Sequence, residues 1–164
     1  MKFSGQFRIT LPDGSEQIWK NRTTDQGEQE YLRMLFRNDM TQVPSGFYVG
    51  LCDQSPAESD DLSGLSTEPA AETGYARINL LRNSTDWPTI QLVNGRGCVV
   101  SKEITFTNSG VGDWTQGFSR AFLCNHLDSI LVTDTLFAYT GGLTAPVILQ
   151  PAADFKMKYE IYID

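Results

Sequence analysis

The chain predicts an all-β sandwich or barrel with one short helix, and three observations carry that reading. In the C-terminal two-fifths, short β-type runs alternate with Gly, Asp, Asn and Pro breaks, and no helix-length apolar stretch separates them. Asn94-Gly95 lies between two further β-type runs, a strong hairpin signal. The 164 residues are 40% hydrophobic and 11% aromatic, enough for the core of one domain, and no repeat or linker interrupts them.

From the N-terminus, residues 2–11 predict a half-buried strand, because Phe7, Ile9 and Leu11 alternate. Pro12-Asp13-Gly14-Ser15 predicts a turn, in which proline presets φ and glycine takes a conformation that other residues resist. Residues 16–20 return as a second strand. A helix is predicted over about 25–37, ending near Asn38-Asp39. Asp25 is placed to cap its free N–H groups and Glu28 to reach back in a capping box. Tyr31, Leu32, Leu35 and Phe36 form an apolar stripe, expected to be a lid on the core, with a partner-binding helix as the alternative.

Residues 46–52 predict the next strand. A long acidic loop follows at about 53–73, with Asp53, Glu58, Asp60, Asp61, Glu68 and Glu72 and no basic residue. It is expected to be solvated and to order on docking. Residues 75–81 resume strand character, 82–88 form a loop carrying Trp87, and 89–93 and 98–101 flank Asn94-Gly95 as strands. Residues 104–106, 118–124, 135–139, 146–151 and 159–164 complete eight to ten strands. The first and last strands are the expected open edges, where a partner's strand could add.

Charge and motifs narrow the function. The net charge is −7, which repels phosphate and argues against nucleic acid, and no Lys/Arg run is present to hold an anionic membrane. The N-terminus shows no apolar signal segment, so synthesis in a cytoplasm is expected. Cys52, Cys98 and Cys124 form no close pair and no metal-ligand cluster, and are expected to be buried reduced thiols, with an intermolecular disulfide as the alternative.

His126, beside Asn125 and Asp128, is the one histidine, and no Gly-x-Ser-x-Gly elbow supports a triad around it. Asp60-Asp61 and Asp113 are glycosidase acids in name only. The acidic loop lacks the spaced pattern of a calcium site, and no glycine-rich phosphate cradle is present. No catalytic residue, cofactor or metal is therefore expected. Trp87 follows Asp86 and Trp114 follows Asp113, both in turn-rich contexts. Each pair is a candidate sugar platform, each ring a candidate interface anchor, and the plainest expectation is that both rings plug the ends of the sandwich. Trp87, Trp114, Asp60 and Asp61 are the candidate interface residues.

Several stretches carry a resemblance when taken in order. Asn21-Arg22-Thr23-Thr24-Asp25-Gln26-Gly27 leads into a short Leu-rich helix. Phe47-Tyr48-Val49-Gly50-Leu51-Cys52, Gly74-Tyr75-Ala76-Arg77-Ile78, Ile104-Thr105-Phe106 with Gly112-Asp113-Trp114, Leu136-Phe137-Ala138-Tyr139, Leu143-Thr144-Ala145-Pro146-Val147 and the final Tyr159 to Asp164 follow. Together they resemble a group of small tailed-bacteriophage structural proteins of the decoration or tail-fibre-like kind. The chain departs from that pattern at Arg22 and Thr23, at Ala153-Asp154 and in the insert 81–100. The resemblance implies a jelly-roll-like β-sandwich that acts as a virion component rather than an enzyme. It implies major capsid or neck and tail proteins as partners, and a symmetric homo-oligomer on the particle. The expected role is capsid decoration or cement, or a collar, neck or tail accessory. The alternative is a receptor- or carbohydrate-binding module at a fibre tip.

Overall fold

The computed structural model describes residues 3–37, 45–54, 56–62, 65, 68–69, 74–114, 117–126, 135–143 and 146–163. Lys2, Asn38-Asp39, Glu72, Asp128, Thr144-Ala145 and Asp164, which entered the sequence expectations, lie outside them. The described residues form ten strands and one helix. In chain order these are β1 (Phe3–Thr10), β2 (Glu16–Thr23), α1 (Asp25–Phe36), β3 (Gly46–Cys52), β4 (Ile78–Leu81), β5 (Thr89–Val93), β6 (Arg96–Val100), β7 (Ile104–Thr107), β8 (Arg120–Cys124), β9 (Leu136–Thr140) and β10 (Asp154–Ile163). The fold is all-β and sandwich-like, as predicted. The expected strand at 146–151 is reduced to a single bridge, Phe118 to Val147.

The strand order is β4-β3-β8-β9-β2-β1-β10-β6-β5, with β7 also on β10, and every named pair is antiparallel. One sheet thus curls into a half-barrel whose two layers share β2. Residues 16–20 of β2 pair with β1, whereas Asn21, Arg22 and Thr23 pair with β9. We call the β2-β1-β10-β6-β5 side the first layer and the β9-β8-β3-β4 side the second. Between them lies one aromatic core: Phe7, Ile9, Phe155, Met157 and Tyr159 from the first layer meet Phe47, Val49, Leu51, Leu123 and Phe137 from the second.

The expected edges are corrected by this order. β1 lies between β2 and β10, with β2 covering Gln6 to Thr10, and β10 lies between β1 on one side and β6 and β7 on the other, so neither is an open edge strand. Among the described residues the outermost strands are β4, β5 and the short β7, which pairs with β10 alone. The β5–β6 hairpin turns on Asn94 and Gly95, both with positive φ (52° and 79°), the pair of left-handed residues that a two-residue turn needs to match strand twist.

The helix is capped one residue earlier than predicted. Thr24 Oγ1 accepts from the Gly27 N–H at 2.9 Å and donates to the Leu136 carbonyl, while Asp25 is already in the first turn. The Asp25/Glu28 capping box is therefore absent, since the third helical residue is Gly27. That glycine lies so close to the Phe137 carbonyl that no Cβ fits between them. Of the expected stripe only Tyr31 is buried, against Phe3 and Phe137, and Met34, which the stripe did not include, is partly buried on the core. Leu32 and Leu35 are half exposed, and Phe36 is 72% exposed.

Candidate functional site: a covered face and an open end

The second layer is apolar on both faces. Phe47, Val49 and Leu51 of β3 point into the central core, and Cys52 on the other face joins Phe122, Cys124, Leu136 and Tyr139 in a separate cluster. Leu62 and Leu65 from the acidic segment are fully buried on that cluster. The expected solvated loop is thus a third layer over its described residues. Apolar side chains on a sheet face must be covered, and two leucines among the acids do it.

Polar contacts hold this cover in place. The Arg77 guanidinium, buried, grips the Glu68 carboxylate from two sides, with Nη2 to Oε1 at 2.5 Å and Nε to Oε2 at 3.0 Å. Tyr75 Oη donates to the same carboxylate at 2.7 Å and accepts from the Leu51 N–H. Arg77 Nη1 donates to the His126 carbonyl and the guanidinium lies over the Phe122 ring. Burial works against the charge on Arg77, but the Glu68 hydrogen bonds together with the electrostatic influence of Cys124, Glu68 and Tyr75 hold its pKa above the usual value. Asp53 receives Ser119 Oγ, and the Asp25 N–H donates to the Glu58 carbonyl.

The predicted chemical residues fall into this scaffold. Asp60 Oδ2 accepts from the Ala57 N–H at 2.7 Å and closes a turn, with Asp61 half-buried beside it. Among the described residues no group of three or more His, Cys, Asp or Glu is arranged to hold a metal. All three cysteines are unpaired and buried. Burial, followed by the charge of Glu68, pushes Cys52 up to about 12, and burial pushes Cys124 up to about 11, so these thiols stay protonated and unreactive.

The two tryptophans part company. Trp114 is 1% exposed, edge-on to Tyr75 and Phe118, and presents no surface to a partner or a sugar. Trp87 is half-buried, packed edge-on against Phe47 and Tyr159, and still reaches a surface groove. Its neighbour Asp86 is buried, taking Lys102 Nζ at 2.6 Å and the Leu81 N–H at 2.7 Å. The Lys102 hydrogen bond lowers the Asp86 pKa. Neither Trp-Asp pair therefore offers a ring and an available carboxylate together.

The groove, of about 700 Å³, marks the place where the sandwich stays open. Along the inner face of β10, Phe155, Met157 and Tyr159 are buried, Ile161 is half-buried and Ile163 is 41% exposed. The register continues this face across the layer: Ile161 is opposite Val99, which is opposite Ile90. Ile163 is opposite Gly97, which is opposite Leu92. Ile90 is 84% exposed and Leu92 79%. The first layer thus runs out beyond the second, and its inner face emerges uncovered. Leu35 from α1 also lines the groove, and its helix neighbours Leu32 and Phe36 are exposed as well. Sequence reasoning missed this end, although Ile90 and Leu92 alternate with polar residues as a half-buried strand should.

No helix among the described residues is long and apolar enough to cross a membrane. Comparison with known proteins finds no protein-family model that matches the chain and no match among curated proteins.

Proposed function

We propose that the chain is a structural protein of a tailed-phage virion that docks on the particle's protein lattice. Its role is capsid decoration or cement, or that of a collar, neck or tail accessory. One observation carries the docking half of this reading: the inner face of the first layer leaves Ile90, Leu92 and Ile163 exposed at the end of the sandwich, beside a groove that Leu35 also lines. Apolar surface on that scale marks an interaction site rather than ordinary exposure. Burying it against a neighbouring subunit supplies the contact, and particle symmetry multiplies a modest contact into firm attachment.

The virion half rests on the ordered resemblance, and the residues that carry it have structural roles here. Thr24 caps the helix, Gly27 lets it approach β9, Tyr75 and Arg77 hold the third layer, and Trp114 plugs the core. In this reading the chain is not an enzyme, needs no cofactor and binds neither nucleic acid nor membrane. The net charge of −7 supports the last point.

The test is to locate the chain in purified particles by cryo-electron microscopy and count it against the major capsid protein. Hundreds of copies on the head lattice support decoration, and about a dozen or fewer at the neck or tail support an accessory role. A position at a fibre tip, with glycan binding lost in Trp87→Ala, moves the reading to a receptor-binding module. Absence from particles overturns it.

A further inference from the structure

We infer that the β5 edge is a self-pairing surface. Thr89–Val93 pairs antiparallel with the same strand of a second copy, across a twofold axis at Gln91, and closes the open end of both sandwiches. This deepens the docking reading by naming the occupant of the uncovered face, and it rests on that reading for its role in a particle.

The first ground is the edge itself. β5 pairs with β6 on one side and, among the described residues, with no strand on the other. Soluble proteins guard such edges with charge, proline or a bulge. The five residues Thr89-Ile90-Gln91-Leu92-Val93 contain no charge and no proline, and their pairing with β6 runs without a register shift.

The second ground is register. Val93 and Arg96 close a two-residue turn, so in the antiparallel alternation residues 89, 91 and 93 direct their backbone groups to β6. Ile90 and Leu92 then direct theirs outward. A second β5 centred on Gln91 sets Ile90 opposite the partner's Leu92, and Leu92 opposite the partner's Ile90. The outward N–H and C=O groups meet each other in that register, and all four apolar side chains share the uncovered face. Any twofold centred on a residue matches outward groups with outward groups, and the centre at Gln91 is the one that pairs all five residues of β5 and sets Ile90 and Leu92 side by side.

The third ground is area and charge. Leu32, Leu35, Phe36, Ile90, Leu92 and Ile163 are all substantially exposed. If all six side chains enter the contact they contribute on the order of 700 Å², which approaches the ~800 Å² per partner that stable interfaces bury. The chain's acidic charge is not concentrated here. The charged residue on the groove wall is Arg82, and Arg96 in the hairpin lies over the Tyr162 ring. Two copies can therefore meet at this end without setting carboxylates against each other.

The experiment uses the full chain. Sedimentation velocity across a concentration series is expected to show a shift from 18.3 kDa toward twice that mass. Ile90→Lys with Leu92→Lys is expected to return the monomer at every concentration. Both positions are exposed, so an unchanged circular dichroism spectrum and melting temperature at low concentration check the fold. Gln91→Cys gives an independent readout. Opposed residues at a non-hydrogen-bonded antiparallel site have Cα atoms ~4.5 Å apart, within disulfide reach. Mild oxidation is expected to cross-link it quantitatively, with Gly112→Cys on a distant exposed loop as the control. A wild-type monomer at all concentrations, a dimer that survives the double lysine variant, or Gln91→Cys cross-linking no better than the control would each overturn the inference. A chain that is monomeric yet present in particles sinks the self-pairing alone. A dimer absent from particles sinks the virion reading alone.

Discussion

Two apolar faces of this molecule meet opposite fates. The outer face of the second layer, built from Cys52, Phe122, Cys124, Leu136 and Tyr139, is covered by the chain's own acidic segment. The inner face of the first layer is covered as far as Tyr159 and then runs out uncovered at Ile163, Ile90 and Leu92. Both faces follow from ordinary strand alternation. The difference is whether a later or earlier piece of the same chain returns to cover them. Where it does, the face contributes to stability, and where it does not, the face is available to another molecule.

The largest expected effect lies on the covered side. Arg77→Ala removes the partner of a largely buried carboxylate and leaves Glu68, among the described residues, with the hydrogen bond from Tyr75. Breaking such a pair costs about 3–5 kcal/mol. Urea denaturation should show the loss, and limited proteolysis should show new cleavage between residues 53 and 74. A loss below about 1 kcal/mol would mean that the acidic segment is not held by this contact. Next in size is Leu62→Ala, which leaves a cavity under the third layer and should cost about 3 kcal/mol by the same measurement, since Leu62 is fully buried.

Most of the architecture was legible from the sequence, and the exceptions have one cause. β1 and β10 alternate apolar and polar residues, and the structure buries one side of each. The runs Phe-Tyr-Val-Gly-Leu-Cys, Ala-Phe-Leu-Cys and Leu-Phe-Ala-Tyr do not alternate. Continuous apolar runs in strands mean that both faces are covered, so the sequence held a request for a third layer. Leu62 and Leu65 were the answer, hidden among acids that read as a solvated loop. The helix cap slipped by one residue because Thr24 and Asp25 are both good caps, and only the approach of Gly27 to β9 decides between them. Trp114 and Trp87 look alike in sequence because each follows an aspartate in a turn. Their burial depends on Tyr75, which packs on Trp114, and Phe47, which packs on Trp87, and both lie far away along the chain. The edges were misassigned because chain termini say nothing about sheet order: the first and last strands are each other's neighbours.

A smaller effect is expected where the helix joins the second layer. Thr24→Ala removes the cap on Gly27 and should cost about 1 kcal/mol, read as a lower midpoint in the same denaturation curve. Smaller again is the contribution from the polar outer face of β10. Burial raises the Glu160 pKa, but hydrogen bonds from Tyr162 and Gln6 and the charge of Arg8 bring it below its ordinary value. A carboxylate with a lowered folded pKa stabilises the fold fully above its unfolded value of about 4.3, and that contribution is lost as pH falls through the folded value. Because Arg8 is half exposed, the ion pair itself contributes at most about 1 kcal/mol. Thermal midpoints measured from about pH 6 down to about pH 3 should fall less steeply in Glu160→Gln than in the wild type.

The smallest effect is the most telling for the comparison. Leu92→Ala deletes the same atoms as Leu62→Ala, yet Leu92 is 79% exposed. Its removal should change the stability of the single chain by no more than about 0.5 kcal/mol. That expectation applies at low protein concentration, where the uncovered face meets only water. At high concentration anything that binds the folded state alone raises the apparent stability. The wild-type midpoint should then climb with concentration, while that of Leu92→Ala should climb less. Equal losses from Leu62→Ala and Leu92→Ala at low concentration would mean that the open end is closed within the single chain. In that case the contrast between the two faces, and the docking surface drawn from it, would both fail.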